Sequence, residues 1–567
     1  MEIVATFDSS EPKLQQLRQL ARNTFATSLI QSEIPCTDPH PSCTGTHHPL
    51  QRLGGAVTFR DQARTLARGM LCPFQPPSSP LTHQPHKCSL AADHTVASYD
   101  ARYDSNLMSV QSDCPHRERF GYGGDALGCG EAGISIYDFE AFYAKRIRDF
   151  VDAQIPDPRL GVAGFPETAP SVGISDGGVG PAGSGPIGWQ AFQPEAQLWL
   201  YKYYGDVHTL TECFNATHAF VKMLDTDPAG IEHGLGDWMP IDQTSTAFTG
   251  MAFQRMSYLA FANISSIVGA HGLETEYRAK AAHVASEMNA RFLDAASGVY
   301  HTHGATASNG RNDTQTGQGL ALFSHLCPDV PTCARTLQVL AENARGASFL
   351  PGACRGSSSL PGCNTARGGA GSHLTAGLFG IKWVLLALAD GGMNDLALEM
   401  LTSTTFPSFG WMQNNPFANA TTIWESWFFS DNTFSHNHPM FSSSEVWLLQ
   451  SVAGIQPHPS ARGMHRVLIK PSPPTQLQFV RASFSTPRGL ISVSWARAGD
   501  GAPFSLNVSI PPNVRATVHV PTSVLGRVLE GGRGVTGGRR VVGDAGTGSG
   551  ESLAIEVGSG FFEFLSF

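Results

Sequence analysis

The chain is poor in charge and has no concentrated block of it. Charged residues make up 15% of 567 positions, against about 25% in an ordinary globular protein. Net charge is −9, with no cluster of lysines or arginines. This argues against a protein that tracks phosphates along a nucleic acid. Long hydrophobic runs are also missing. The most apolar stretch, Leu374 to Asp390, is broken by Lys382 and is too short to span a bilayer. The first residues, MEIVATFDSSEPK, lack the basic and apolar regions of a signal peptide.

Glycine and proline are abundant, at 60 and 37 residues, which implies long loops. A hydrophobic fraction of 41% is still that of a globular protein. There are eleven cysteines. Cys36/Cys43, Cys327/Cys333 and Cys354/Cys363 are closely spaced pairs in loop-like sequence, as in short disulfide loops. Five sequons begin at Asn215, Asn263, Asn312, Asn419 and Asn507. Cysteine pairs and sequons together point to a secretory or extracellular setting.

The chain divides into three parts. Residues 1–95 give one short strand (EIVATF) and a helix from Glu11 to Thr27, then a Pro/His/Cys-rich insertion over 31–95. The insertion holds or adjoins Cys72, His83, His86, Cys88 and His94, whose spacing fits no strong zinc pattern. Residues 96–455 are helical: Phe139, Phe142, Tyr143, Ile147 and Phe150 share one face, as do Tyr277, Ala281, Val284, Met288 and Phe292. Leu198, Leu200, Tyr201 and Tyr204 mark another helix, and more are predicted near 250–269, 315–326, 333–345, 373–389, 394–402 and 443–453. Stacked helical hairpins of this kind can close into an (α/α) barrel with a pocket at one end. After Gly454 the period becomes two, predicting a β-sandwich over 456–567.

Three segments could carry chemistry. Asp113-Cys-Pro-His-Arg-Glu-Arg-Phe-Gly-Tyr-Gly-Gly-Asp125 packs five charges among aromatics and glycines, then opens into a helix near Ala126. Such a segment can be a solvated ion-pair face, or a sugar cleft in which rings stack and acids bind hydroxyls. In Thr421-Thr-Ile-Trp-Glu-Ser-Trp427, Glu425 lies between two tryptophans; desolvation there would raise its pKa and suit proton transfer. Gly234-Leu-Gly-Asp-Trp238 sets an acid beside an indole. Trp189, His436 and His438 are weaker signals. Two carboxylates on separate loops with aromatic walls meet the needs of glycosidic hydrolysis: one acid protonates the leaving oxygen, and the other activates water or attacks the anomeric carbon.

The segment DCPHRERFGYGGDA resembles the DCPQRERLGWTGDA signature of bacterial-type α-L-rhamnosidases, glycoside hydrolase family 78. GLGDW, TTIWESW, SHNHP…EVWLLQSVAGI and the closing GSGFFEF resemble that family in its order, over about 96–567. The resemblance implies a mainly α fold, an (α/α)6 barrel followed by a C-terminal antiparallel β-sandwich, and inverting release of terminal α-L-rhamnose from a glycoside or polysaccharide. It implies Glu118 as general acid and Glu425 as general base. Asp113, Arg117, Tyr122, Asp125, Trp189, Asp237, Trp238 and His438 would line the sugar pocket. Neither metal nor cofactor is required.

Departures are Tyr122 for a usual Trp, Gly123 for Thr, Ser426 for Arg, Pro439 and Met440 after the histidine, and the missing N-terminal β-domains. Two other readings stay open. One is a different toroid enzyme, including a lyase using Tyr122 and His438. The other is a binding module without turnover.

Overall fold

The computed structural model describes residues 3–30, 110–111, 113, 120–170, 184–303, 312–346, 371–415, 418–429, 434–497, 503–522, 526–535, 537–541 and 551–567. The insertion with its cysteines and histidines lies outside them, as do Cys36/Cys43, Cys354/Cys363, Arg117 and Glu118.

Among the described residues, six helical stretches form an inner ring, each packed on the next: Gly123–Ile134, Phe192–Trp199, Thr246–Ile267, Gln315–Phe323, Gly380–Asp390 and the run Pro439–Ser443 to Trp447–Val452, which returns to the first. These stretches are apolar on nearly all sides, as befits helices without a wet face. Gly380–Asp390 buries Ile381, Trp383, Val384, Leu385 and Leu388, and also Lys382, which meets Glu131 of the first inner helix at 2.7 Å. The charge that interrupts the apolar run is thus an internal ion pair.

Outer helices are amphipathic. His271–Phe292 buries Tyr277, Ala281, Val284, Met288 and Phe292 and leaves its other faces wet. Glu140–Asp152, His208–Met223, Val330–Arg345 and Asn394–Thr402 likewise back the inner ring. An N-terminal helix, α1 (Pro12–Ser28), packs on Pro439–Ser443 and Asn394–Thr402 and takes the remaining outer place. It buries Leu14, Leu17, Leu20 and Phe25.

Two features differ from expectation. The helix expected over 373–389 begins only at Gly380, because the amides of Gly377, Phe379 and Gly380 are bound by the Asp237 carboxylate. Cys327 and Cys333 are not bridged; the Cys327 thiol is hydrogen-bonded to Cys333.

The C-terminal part is two packed sheets. The larger runs Ala5–Ser9, Phe479–Thr486, Gly489–Arg497, Phe504–Ile510, Gly560–Ser566, Val528–Glu530 and Arg533–Gly534. Its edge strand, β1 (Ala5–Ser9), therefore comes from the start of the chain, pairing Ala5 with Phe484. The smaller sheet runs Arg539–Val541, Ser552–Val557, Arg515–Pro521, Arg466–Ile469 and Ile455–Pro457. One pair in this otherwise antiparallel sandwich, Arg466–Ile469 beside Arg515–Pro521, is parallel. Leu506, Val508 and Ile510 alternate inward with half-exposed Ser505, Asn507 and Ser509 outward. Among the described residues, no helix is long and apolar enough to cross a membrane.

A buried ion pair fastens α1 to the toroid. Arg18 lies 3.5 Å from Glu445, both nearly inaccessible, and also donates to the Ala5 carbonyl at 3.0 Å. Burial raises the pKa of Glu445, and Arg18 opposes that. Removing one partner of such a pair strands the other, whereas replacing both with apolar groups need not cost stability. Arg18→Met should therefore lose about 3–5 kcal/mol in urea unfolding, and the further change Glu445→Leu should restore much of it. Equal losses in the single and double variants would contradict this.

Candidate active site

The site is assembled on the inner ring's loops. Glu425 lies on a non-helical segment that folds back on itself. Its amide donates to the Ser435 carbonyl at 2.9 Å, and the His438 amide donates to the Ile423 carbonyl at 2.8 Å. The Ser435 amide donates to Glu425 Oε2 at 2.8 Å, and Trp238 Nε1 donates to Oε1 at 3.1 Å. Glu425 is only 1% exposed. The expected desolvation between Trp424 and Trp427 is present, but each carboxylate oxygen has a protein donor. Trp424 stacks on His436 at 4.8 Å, and Trp427 packs on Phe441 at 4.4 Å and donates to the Ala376 carbonyl.

His438 joins two carboxylates. Its Nε2 is 2.9 Å from Asp125 Oδ1, and its Nδ1 is 3.9 Å from Glu425 Oε2. Neither contact has in-line hydrogen-bond geometry, so both are ion-pair contacts. Burial alone would lower the ring's pKa; the charges of Asp125, Glu425 and Asp113 outweigh it and raise the pKa to about 9. His438 is therefore a cation at neutral pH.

Asp125 sits in the first turn of Gly123–Ile134, where the helix N-terminus favours an anion. Asp113 is 3% exposed, and its amide donates to the Phe120 carbonyl at 3.3 Å. That bond joins the two described residues that flank 114–119; Arg117 and Glu118 lie outside the described residues.

Trp189 explains the paired glycines before Asp125. A Cβ on Gly124 would lie 2.5 Å from its indole, and one on Gly123 would lie 2.3 Å from its carbonyl oxygen. Trp189 is buried, packed edge-on against Phe379 at 4.9 Å, with no hydrogen-bond partner on its Nε1 among the described residues. Tyr122 is half-buried, edge-on to Phe120, and bridges to Thr168.

Asp237 has a different task from the sugar contact expected of it. It is 1% exposed and accepts from Thr316 Oγ1 (2.5 Å) and the amides of Gly377, Phe379 and Gly380 (2.7, 3.2 and 3.0 Å). Burial raises its pKa while these four donors oppose the rise. Both oxygens are occupied by protein, so Asp237 staples its loop to Gln315–Phe323 and to the start of Gly380–Asp390 and leaves Trp238 directed at Glu425.

Three residues of the site were not singled out in the sequence. Ser435 carried no signal. Arg146 is buried and donates to the Tyr122 carbonyl at 2.7 Å. An arginine on the same helical face as Tyr143 and Phe150 was the available clue. Thr24 of α1 accepts the Ile423 amide at 2.8 Å.

The description "bacterial alpha-L-rhamnosidase 6 hairpin glycosidase domain" matches residues 94–354 and 364–452, and "bacterial alpha-L-rhamnosidase C-terminal domain" matches 454–534. An alpha-L-rhamnosidase of Streptomyces avermitilis is 28% identical over 440 residues, covering 75% of this chain and 37% of that protein. One from an Alteromonas species is 25% identical over 443 residues, covering 73% and 42%. The chain thus spans about two fifths of the length of these relatives. Among solved structures, alpha-L-rhamnosidase from Dictyoglumus thermophilum aligns with a TM-score of 0.68 at 21% identity, covering 100% of this chain and 50% of that one. The Streptomyces avermitilis enzyme complexed with L-rhamnose aligns with a TM-score of 0.66 at 22% identity, covering 100% and 42%. These likenesses carry the fold, a six-hairpin helical toroid with a C-terminal β-sandwich. With these two domain descriptions matching adjoining stretches over most of the sequence, the chain belongs to the bacterial α-L-rhamnosidase family of six-hairpin glycosidases.

Proposed function

We propose that this chain hydrolyses terminal α-L-rhamnosides with inversion, Glu425 acting as general base and Glu118 as general acid. The observation that carries the reading is the environment of Glu425. A buried carboxylate with a protein donor on each oxygen and an imidazolium 3.9 Å away is surrounded as an anion should be. That suits a base and not an acid. The relatives are named alpha-L-rhamnosidase, and one was solved with L-rhamnose bound.

In this reading Glu425 takes a proton from water as the water oxygen attacks the anomeric carbon. The glycosidic C–O bond breaks, and Glu118 protonates the leaving oxygen. Inversion calls for about 6.5–9.5 Å between the two carboxyl groups, leaving room for the water. Asp113, Arg117 and Asp125 would bind sugar hydroxyls, with Tyr122, Trp189 and Trp238 as walls. The 96–455 unit would be the catalytic one and 456–567 its brace.

An aryl α-L-rhamnoside should be cleaved by the wild type, and Glu425→Gln should lower kcat by about 10²–10⁴-fold, the usual worth of a positioned base. Glu118→Gln should lose less on substrates with good leaving groups. Proton NMR should show the inverted anomer first. Retained anomer, unsaturated product, or sugar binding without turnover would each defeat the proposal.

The charge on His438 gives a pH dependence. Its folded pKa, about 9, lies above the ordinary 6.5. The stability it lends is therefore complete below pH 6.5 and lost as pH rises through about 9. Activity should show an alkaline limb near pH 9 that His438→Gln lacks, and the stability gap between wild type and this variant should shrink across the same window. A gap constant with pH would contradict this.

We further propose a secretory setting. Asn419 is exposed and Asn507 lies on the outer face of its strand, so both sequons are open to a glycan. Protein from a eukaryotic secretory host should lose mass on enzymatic N-deglycosylation, and an unchanged mass would count against it.

A further inference from the structure

We propose that α1 is a clamp that holds the base-bearing segment in place beside Asp113, and that Thr24 is its positioning residue. The proposal rests on Glu425 being the base.

Thr24 is fully buried. Its hydroxyl donates to the Leu20 carbonyl at 2.7 Å, which turns its lone pair toward the Ile423 amide. The Ile423 carbonyl in turn accepts the His438 amide. One hydroxyl thereby fixes the residue that stands two before Glu425 and also anchors His438. Two more bonds flank it: Asn23 Nδ2 donates to the Thr421 carbonyl at 2.9 Å, and Asn437 Nδ2 donates to Thr27 Oγ1 at 2.6 Å. Both arms of the folded-back segment are thus tied to one face of one helix.

The same helix reaches the other side of the site. It runs directly into β2 (Leu29–Ile30), which pairs antiparallel with β3 (Val110–Gln111), two residues before Asp113. Leu29 opposes Gln111, and Ile30 opposes Val110. A helix of 17 residues therefore links β2 and its partner β3, just before Asp113, to the segment carrying Glu425. For an inverting pair the spacing across the water is the critical dimension. A misplacement of about 1 Å can cost on the order of 10²-fold in rate.

The test uses full-length protein and three variants. Thr24→Val keeps the shape but leaves the Ile423 amide without an acceptor. Thr24→Ser keeps the hydroxyl. Thr27→Val breaks the outer tie at an exposed position. Two readouts are taken: kcat and KM on an aryl α-L-rhamnoside, and the His438 ring titration by NMR of ¹³C-histidine protein, assigned with His438→Gln. The ring is faced by Asp125 from Gly123–Ile134, Asp113 from beyond β3 and Glu425 from its own folded segment.

Thr24→Val should lower kcat about tenfold with KM little changed, a share of the misplacement penalty, and move the His438 titration down from about 9 toward 6.5. Thr24→Ser should match wild type, and Thr27→Val should show the same changes in smaller measure. A folded Thr24→Val with wild-type kcat and titration would overturn the clamp, as would a lower Tm with an unmoved titration. Should Thr24→Val fail to fold, an unmoved Thr27→Val would overturn it. If wild type cleaves no rhamnoside yet Thr24→Val shifts the titration, the clamp stands and the functional reading falls.

Discussion

Buried carboxylates close together need a cation between them. Removing an ion from water costs several kcal/mol even after the protein relaxes, and here Asp113, Asp125 and Glu425 are each about 1–3% exposed. His438 satisfies the constraint by carrying a proton between Asp125 and Glu425. The rest of the site can be read as the means of keeping that ring in place. Its amide is tied to Ile423, and the facing carboxylate is held by Ser435 and Trp238. A neutral ring there would remove the positive charge that stands between Asp125 and Glu425.

The toroid supplies rigidity by close approach of its inner helices. Gly123 and Gly124 let Trp189 lie on the backbone of the helix that carries Asp125. Asp237 performs an equivalent function next to it by capping Gly380–Asp390 with both oxygens. A carboxylate receiving four hydrogen bonds is a fixed structural part. This is why the acid of the Gly-Leu-Gly-Asp-Trp loop serves the indole beside it. The substitution of Gly123 for the Thr usual in the resembling signature also has a local cause, since a Cβ there meets the Trp189 carbonyl.

Much of this was legible because local pattern and tertiary role coincide. The Tyr277-to-Phe292 stripe is the buried face of an outer helix, and Phe504–Ile510 alternates as half-buried strands do. Site residues announced themselves where chemistry is dense in sequence, as in Asp113 to Asp125. What failed was set by distant partners. The helix expected from 373 starts late because a carboxylate 140 residues away takes its first amides. His208–Met223 went unnamed because its buried face mixes the polar Thr209 and Thr217 with Leu210, Cys213, Phe220 and Val221, which blurs the stripe in sequence. Thr24 looked like any helical threonine; its role depends on an amide 399 positions further along.

That separation decides what each contact of α1 can do. Closing a loop of this length costs about 5 kcal/mol in chain entropy, and one hydrogen bond nets only about 1 kcal/mol. The Thr24 hydroxyl cannot by itself hold the helix to the toroid. Leu14, Leu17, Leu20 and Phe25, all buried, contribute about 1.5–3 kcal/mol each, and β1 adds a strand's pairing to the sandwich. Docking is thus supplied by apolar burial, which is indifferent to a shift of a fraction of an ångström. Directional bonds are not indifferent: an amide placed off axis from the hydroxyl loses most of its interaction. Hydrophobic contact therefore determines that α1 is present, and Thr24 determines where Ile423, and with it Glu425 and His438, comes to rest.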